Sequence, residues 1–290
     1  MKQNSPKAWL LASRPKTLTG AAMPVMVGLA FAAKAQDYHL DIIPAVLCML
    51  FALIMQIDAN FVNDYFDWRK GNDDEATRLG PLRACSQGWV TPKAMVIAIL
   101  ITTALAGCVG LPLIYYGGWH LIFVGIACVV FCVLYTTTLS YIAMGDVLVL
   151  VFFGIVPVCY TYFIQVGNIP LDVFLISIAV GSCVDTLLVV NNYRDIDNDR
   201  RDGKRTLVVL VGKEWGLALY LICSLIAAVI AFYVFWPAIG GAITFLFLTI
   251  QERTFKKMQQ LQGRELNQVL GETARNIFIF GLLVSVGALL

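Results

Sequence analysis

The chain has 290 residues, 59% of them hydrophobic and 14% charged, with a formal net charge of +2. Soluble domains carry about 25% charged residues, so this composition and a mean hydropathy of +0.77 point to a polytopic membrane protein. Intrinsic disorder, nucleic-acid binding and a disulfide-stapled secreted scaffold are excluded on the same grounds.

A membrane-spanning helix needs about 20 apolar residues. Apolar runs lie at about 18–35, 41–62, 94–114, 119–140, 145–166, 171–192, 215–236, 238–251 and 273–290, which predicts an all-α bundle of about nine transmembrane helices. Turn chemistry separates them at Gly117-Gly118, at Gly167-Asn168 with Pro170, and at Trp236-Pro237. The first run reads as a retained helix rather than a cleaved signal, because eight further runs follow it. The N-terminal arm and segments 63–93, 194–213 and 253–275 hold 20 of the 21 Lys and Arg residues, whereas the alternate loops hold only Lys34. Nine spans put those four segments on one face, so the expectation is a cytoplasmic N-terminus, an outer C-terminus and a multi-pass location in the inner cell membrane. With no long linker, one domain over 1–290 is expected.

Seven of the eight cysteines sit in apolar runs, without a CxxC pair, and only His39 and His120 represent histidine. A His-based metal site or a Ser-His-Asp triad is therefore not expected.

Two of the basic segments also contain acids. Segments 60–83 (NFVNDYFDWRKGNDDEATRLGPLR) and 191–206 (NNYRDIDNDRRDGKRT) hold nine of the 19 acidic residues, interleaved with nine Lys and Arg. If the sixth helix continues past Asn191, then Asn191, Asp195 and Asp199 share a face. Asn60, Asp64 and Asp67 repeat the pattern, with Asn63 adjacent. Oxygen ligands in columns suit Mg²⁺, which is held by one or two carboxylates plus substrate phosphates. A diphosphate bridging such ions has its remaining charge met by Arg69, Lys70, Arg78, Arg83, Arg194 and Lys204. A lipid diphosphate needs both this polar mouth and a hydrocarbon-lined cavity. Mg²⁺ would make the diphosphate a leaving group, and Tyr65, Phe66, Tyr135 or Tyr193 would shield an allylic cation.

These segments resemble the UbiA-type membrane prenyltransferases, which carry an NDxxDxxxD motif after the second helix and a DxxxD-type motif after the sixth. Here the first reads Asn63-Asp64-Tyr65-Phe66-Asp67, with Gly71 in place of the final Asp and Asp73 and Asp74 just beyond. The second reads Asp195-Ile196-Asp197-Asn198-Asp199. Within the family, RPKTL (14–18), the 63–83 and 191–206 segments and GRELN (263–267) are similar to the branch that prenylates 1,4-dihydroxy-2-naphthoate in menaquinone synthesis. The resemblance implies that Asp64, Asp67, Asp195 and Asp199, with Asn60, hold Mg²⁺ and through it the diphosphate, and that Asn63, Asp73 and Asn192 are secondary. It assigns Lys16, Arg69, Arg78, Arg83, Arg194 and Lys204 to the diphosphate or the naphthoate carboxylate. Tyr135 stands where the family often has a Tyr before the loop joining helices four and five. That loop, TTTLSYIAMGD, lacks the basic and Pro-rich residues the family carries there.

The implied reaction is transfer of a polyprenyl chain to the naphthoate with loss of CO₂, giving 2-demethylmenaquinol. Another aromatic acceptor, 4-hydroxybenzoate or homogentisate, is the alternative within the class. A CDP-alcohol phosphatidyltransferase requires a DG-x-x-AR element that the sequence lacks. A cation-coupled transporter would place polar groups near the midplane, whereas here they lie mainly at the mouth. Asp58 and Asp185 are the exceptions. Each sits about two turns before its motif, either as polar packing or as support for the Mg²⁺ ligands.

Overall fold

The computed structural model describes residues 1–71, 78–236 and 240–290. Among these there is no strand. A short helix, Pro6–Ala12, and a 3₁₀ turn at Pro15–Thr17 lead into α1 (Leu18–Ala35) and α2 (Ile42–Lys70). Then follow α3 (Pro92–Gly110), α4 (Leu121–Thr137), α5 (Gly145–Val166), α6 (Leu171–Arg201), α7 (Lys213–Val234), α8 (Gly240–Gln260) and α9 (Leu266–Leu289). Each apolar run of the sequence falls on one of these helices. Seven described helical segments are long and apolar enough to cross a membrane. The other two expected spans are α4, at 17 residues, and α8, whose second half carries Glu252, Arg253, Lys256 and Lys257.

Local chemistry sets the boundaries that matter for the site. The Asp41 carboxylate accepts from the Ile43 N–H at 3.2 Å and caps the start of α2. Gly71 ends α2 at φ +74°, a left-handed conformation that Gly adopts at little cost. The position where the family motif has its final Asp is thus the helix stop. α6 runs unbroken for 31 residues, so the second motif is a direct extension of a spanning helix.

α6 is the central post: most of its apolar stretch is buried, and it packs against α1, α5, α7 and α9. α5 crosses it backbone to backbone. A Cβ on Gly154 would sit 2.5 Å from the Ser177 carbonyl oxygen, and one on Gly181 would sit 2.8 Å from that of Leu150. Close crossings of this kind are how helices pack without a hydrophobic driving force, and here the crossing coincides with a π-turn at Val151–Ile155 in α5. Met23, Val27, Ile176, Val180, Phe247, Ile277 and Phe280 fill the core between α1, α6, α8 and α9. A buried polar clamp holds α7, α8 and α9 together. Tyr220 donates to Gln251 at 2.8 Å, and Asn276 donates to Gln251 at 2.9 Å and to Thr254 at 2.8 Å. Its groups satisfy one another, which lets the more polar α8 sit inside the bundle.

Candidate active site

The C-terminal ends of α2 and α6 open on one cavity of about 820 Å³, within the range of small-molecule sites. Its polar end is lined by Asn63 and Asp67 of α2 and by Asn191, Asp195, Asn198 and Asp199 of α6. The rest is an apolar arm walled by α2, α3, α4 and α5, with Phe51, Phe131, Phe152 and Tyr160 among its rings. Ile122, Ile126 and Val130 recur at i, i+4 and i+8 on α4. They line the arm yet are 41%, 54% and 45% exposed, so the arm opens sideways along α4.

At the polar end acids and bases alternate. Arg83 donates to Asp67 at 2.9 Å, and Lys204 Nζ lies 3.6 Å from the same carboxylate. Arg194 donates from Nε and Nη2 to the two oxygens of Asp195 at 2.9 and 2.5 Å, from Nη2 to Asn191 at 2.7 Å, and from Nη1 to Asn267 at 2.8 Å. Asn267 in turn donates to the Leu79 carbonyl at 2.8 Å. A Cβ on Gly80 would lie 2.7 Å from Arg194 Nη2, so the loop rests on the guanidinium because residue 80 has no side chain. The paired carboxylates and cations suit a polyanion that arrives with its own metal ions. The carboxylates can pass to a metal while the arginines and lysine turn to phosphate oxygens.

Several expected residues do other work. Asp64 is 1% exposed and does not line the cavity; its oxygens accept from the Ala84 and Cys85 backbone N–H groups at 2.9 and 2.8 Å. It anchors the loop that carries Arg83. Asn60 is likewise turned away, donating to the Ser13 carbonyl and the Thr17 hydroxyl, both at 2.9 Å. Asn63 lines the cavity while accepting from the Thr136 hydroxyl. Lys70 donates to the Thr137 carbonyl at 2.8 Å and sits 4.0 Å over the Tyr141 ring, tying α2 to the loop after α4. Lys16 and Arg69 are exposed and off the cavity wall, whereas Arg78, Tyr135 and Asn192 are on it. Asp73 lies outside the described residues. Asp58 accepts from Thr102 and Thr103 of α3, which is the packing reading. Asp185 faces the Cys223 thiol at 3.5 Å.

Arg14, Asn198 and Asp202 line the cavity without being singled out by the sequence motifs. Arg14 lines the polar end and holds φ +49° immediately before Pro15. The Arg-Pro step was its signal, since a residue before proline is kept out of the right-handed helical region. Asn198 and Asp202 extend the α6 stripe and follow from the same helical spacing. Among the described residues no three His, Cys, Asp or Glu side chains converge as a metal cage. Mg²⁺ needs no such cage when substrate phosphates complete its shell, so the oxygen donors present fit that ion.

The family model described as the UbiA prenyltransferase family matches residues 21–263. The chain belongs to the UbiA prenyltransferase family. It is 31% identical to the 1,4-dihydroxy-2-naphthoate octaprenyltransferase of Haemophilus influenzae, over 98% of this chain and 96% of that one. The enzyme of the same name from Escherichia coli is also 31% identical, again over 98% and 96%. Among solved structures, a UbiA homolog from Archaeoglobus fulgidus bound to DMAPP and Mg²⁺ superposes with a TM-score of 0.67. It covers 96% of this chain and 99% of that one at 15% identity. Two polar helix ends over one apolar cavity are therefore set in a UbiA fold.

Proposed function

We propose that the protein transfers a polyprenyl chain from polyprenyl diphosphate to 1,4-dihydroxy-2-naphthoate with loss of CO₂, giving 2-demethylmenaquinol. The observation that carries this reading is the single cavity with a carboxylate- and cation-lined end and an apolar arm open to lipid. Relatives named as naphthoate octaprenyltransferases over nearly the full length support the acceptor. The four basic segments support an orientation with the N-terminus cytoplasmic, one domain over 1–290, and a place in the inner cell membrane.

Asp67, Asp195 and Asp199, with the oxygens of Asn63 and Asn191, would hold Mg²⁺. When bound, the ion neutralises charge that develops on the departing diphosphate. Arg83 and Lys204 move from Asp67 toward the diphosphate oxygens and hold the reacting carbon at the polar end. Arg14 and Arg78 supply further positive charge there. Tyr135 lines the same cavity, and its ring would shield positive charge on the allylic carbon. The electron-rich naphthoate attacks that carbon, and loss of CO₂ restores aromaticity without a separate ring C–H base.

Mass spectrometry of purified protein in lipid tests the reading, with Mg²⁺, a polyprenyl diphosphate, and 1,4-dihydroxy-2-naphthoate and 4-hydroxybenzoate in competition. Prenylated naphthol with CO₂ release, lost with EDTA and in Asp195→Asn, is the expected result. Prenylated hydroxybenzoate alone would move the protein to another acceptor, and no prenylated product would overturn prenyl transfer.

A further inference from the structure

Beside the polar end of the main cavity lies a second chamber of about 20 Å³. Tyr135 bounds it from the end of α4 and Ser140 from the 3₁₀ turn that follows, Gly145 and Asp146 from the start of α5, and Asn192 and Thr206 from α6 and the loop after it. Tyr135, Ser140, Asn192 and Thr206 line the main cavity as well, so the chamber is a side pocket of it. A space of roughly 15 Å³ holds one water-sized group. This pocket therefore admits a single oxygen but not a ring.

The Thr206 hydroxyl accepts from the Val209 N–H at 3.3 Å, but three other polar groups of the pocket keep capacity to bind. Buried polar atoms are almost always hydrogen-bonded, yet Asp146 Oδ1 is buried with no partner among the described residues. Asn192 is only 6% exposed, and neither it nor Ser140 makes a side-chain hydrogen bond among the described residues. This contrasts with the diphosphate end, where Asp67 and Asp195 are each gripped by a cation. No ion pair reaches Asp146 among the described residues. Its titratable neighbours are Tyr135 on α4, Asp185 on α6 and Cys223 on α7. Asp185 also has a buried oxygen, Oδ1, without a partner among the described residues.

We infer that this side pocket seats one ring hydroxyl of the aromatic acceptor, with Asp146 as the group that accepts its hydrogen bond and then its proton. The inference rests on the prenyl-transfer reading above and adds the residue that activates the acceptor. Electron density released from the hydroxyl enters the ring at the carbon that attacks. As the new C–C bond forms and the C–O bond to diphosphate breaks, the hydroxyl proton passes to the Asp146 carboxylate. When CO₂ departs, its C–C electron pair returns to the ring and the oxygen takes the proton back. Asp146 ends as it began. The loop that lacks the family's basic residues thus contributes a hydroxyl acceptor in their place.

The test uses full-length protein in lipid vesicles with Mg²⁺, a polyprenyl diphosphate, 1,4-dihydroxy-2-naphthoate and its two mono-O-methyl ethers. Wild-type protein should lose about 10²-fold in kcat/KM with one ether and much less with the other, a loss of the size expected for a missing proton transfer. Asp146→Asn should lose about 10²-fold in kcat on the parent naphthoate, keep its KM for the prenyl diphosphate, and no longer distinguish the ethers. Gly145→Ala is the second variant. Its added methyl meets Leu188 at 3.4 Å and Tyr135 at 3.7 Å, ordinary contacts that leave the fold intact. It narrows the pocket, so it should raise KM for the naphthoate alone, and it decides the matter if Asp146→Asn does not fold. Wild-type turnover of both ethers at the parent rate overturns the proposal. So do variants with unchanged acceptor kinetics, or a loss matched by an equal rise in KM for the prenyl diphosphate. Wild-type protein that prenylates no hydroxyarene overturns the underlying reading instead, and is seen before any variant is compared.

Discussion

Lys204 Nζ lies 3.6 Å from the Asp67 carboxylate, so the loop after α6 is fastened to the end of α2 through a group both motifs need. Arg83 shares that carboxylate at 2.9 Å, with the two side chains 10% and 9% exposed. Removing one partner of a buried pair costs about 3–5 kcal/mol, because the other charge is stranded. Asp67→Asn should therefore lower the melting temperature in detergent and reduce kcat by at least about 10²-fold. Lys204→Ala should lower kcat by much less than Asp67→Asn, because Arg83 still serves the same oxygens, and should raise KM for the prenyl diphosphate. Equal kinetics in both variants would sink the division of labour between them.

Asp64 differs from Asp67 although the two stand one turn apart. Its oxygens hold the N–H groups of Ala84 and Cys85, residues that are 1% and 4% exposed. Asp64→Ala strands both donors, at about 1–3 kcal/mol each. The expected outcome is a large loss of thermal stability, while the folded fraction keeps the wild-type Mg²⁺ dependence of turnover. A titration in which Asp64→Ala melts normally but needs much more Mg²⁺ would make Asp64 a ligand after all.

These two aspartates also show where the sequence stops being readable. Helical spacing correctly puts Asn191, Asp195 and Asp199 on one cavity-facing stripe, because α6 continues straight through the motif. Hydropathy likewise places each helix, since period and length are local properties. Spacing cannot tell which carboxylate of α2 meets the cavity and which meets the backbone of a loop about 20 residues later. That depends on how 78–90 folds back. Lys16, off the cavity wall, and Arg14, on it, are told apart by a related feature. Both lie in the arm before α1, but the positive φ at Arg14 makes a turn that charge counting does not contain. Gly71, read as a lost motif Asp, is the stop of α2.

The apolar arm gives a specificity test. Gly125 on α4 lines it, and a Cβ there would meet nothing within 4 Å. Gly125→Phe should fill part of the arm without straining the bundle. Turnover of a short prenyl diphosphate should stay near wild type, while that of a long one falls by about tenfold or more, the usual scale of overpacking. Parallel kinetics with a five-carbon and a forty-carbon diphosphate measure this. A uniform loss on both substrates would show that the tail does not run along α4.

The charge arrangement predicts that metal and diphosphate bind together. In the protein alone, Asp67 is held by Arg83 and Lys204, and Asp195 by Arg194. Among the described residues no cage of three ligands awaits an ion. A divalent cation binding first must compete with those guanidinium and ammonium groups. With a diphosphate present they have phosphate oxygens to turn to, and the carboxylates are released. Calorimetry of protein in lipid, without aromatic acceptor, should therefore show Mg²⁺ binding at least about tenfold tighter when prenyl diphosphate is present. By linkage, Mg²⁺ must tighten the prenyl diphosphate by the same factor. Arg83→Gln should shrink that factor by easing the competition at Asp67. Mg²⁺ that binds equally well with and without diphosphate would mean that the carboxylates already form a complete site, and the exchange of partners at Asp67 would have to be abandoned.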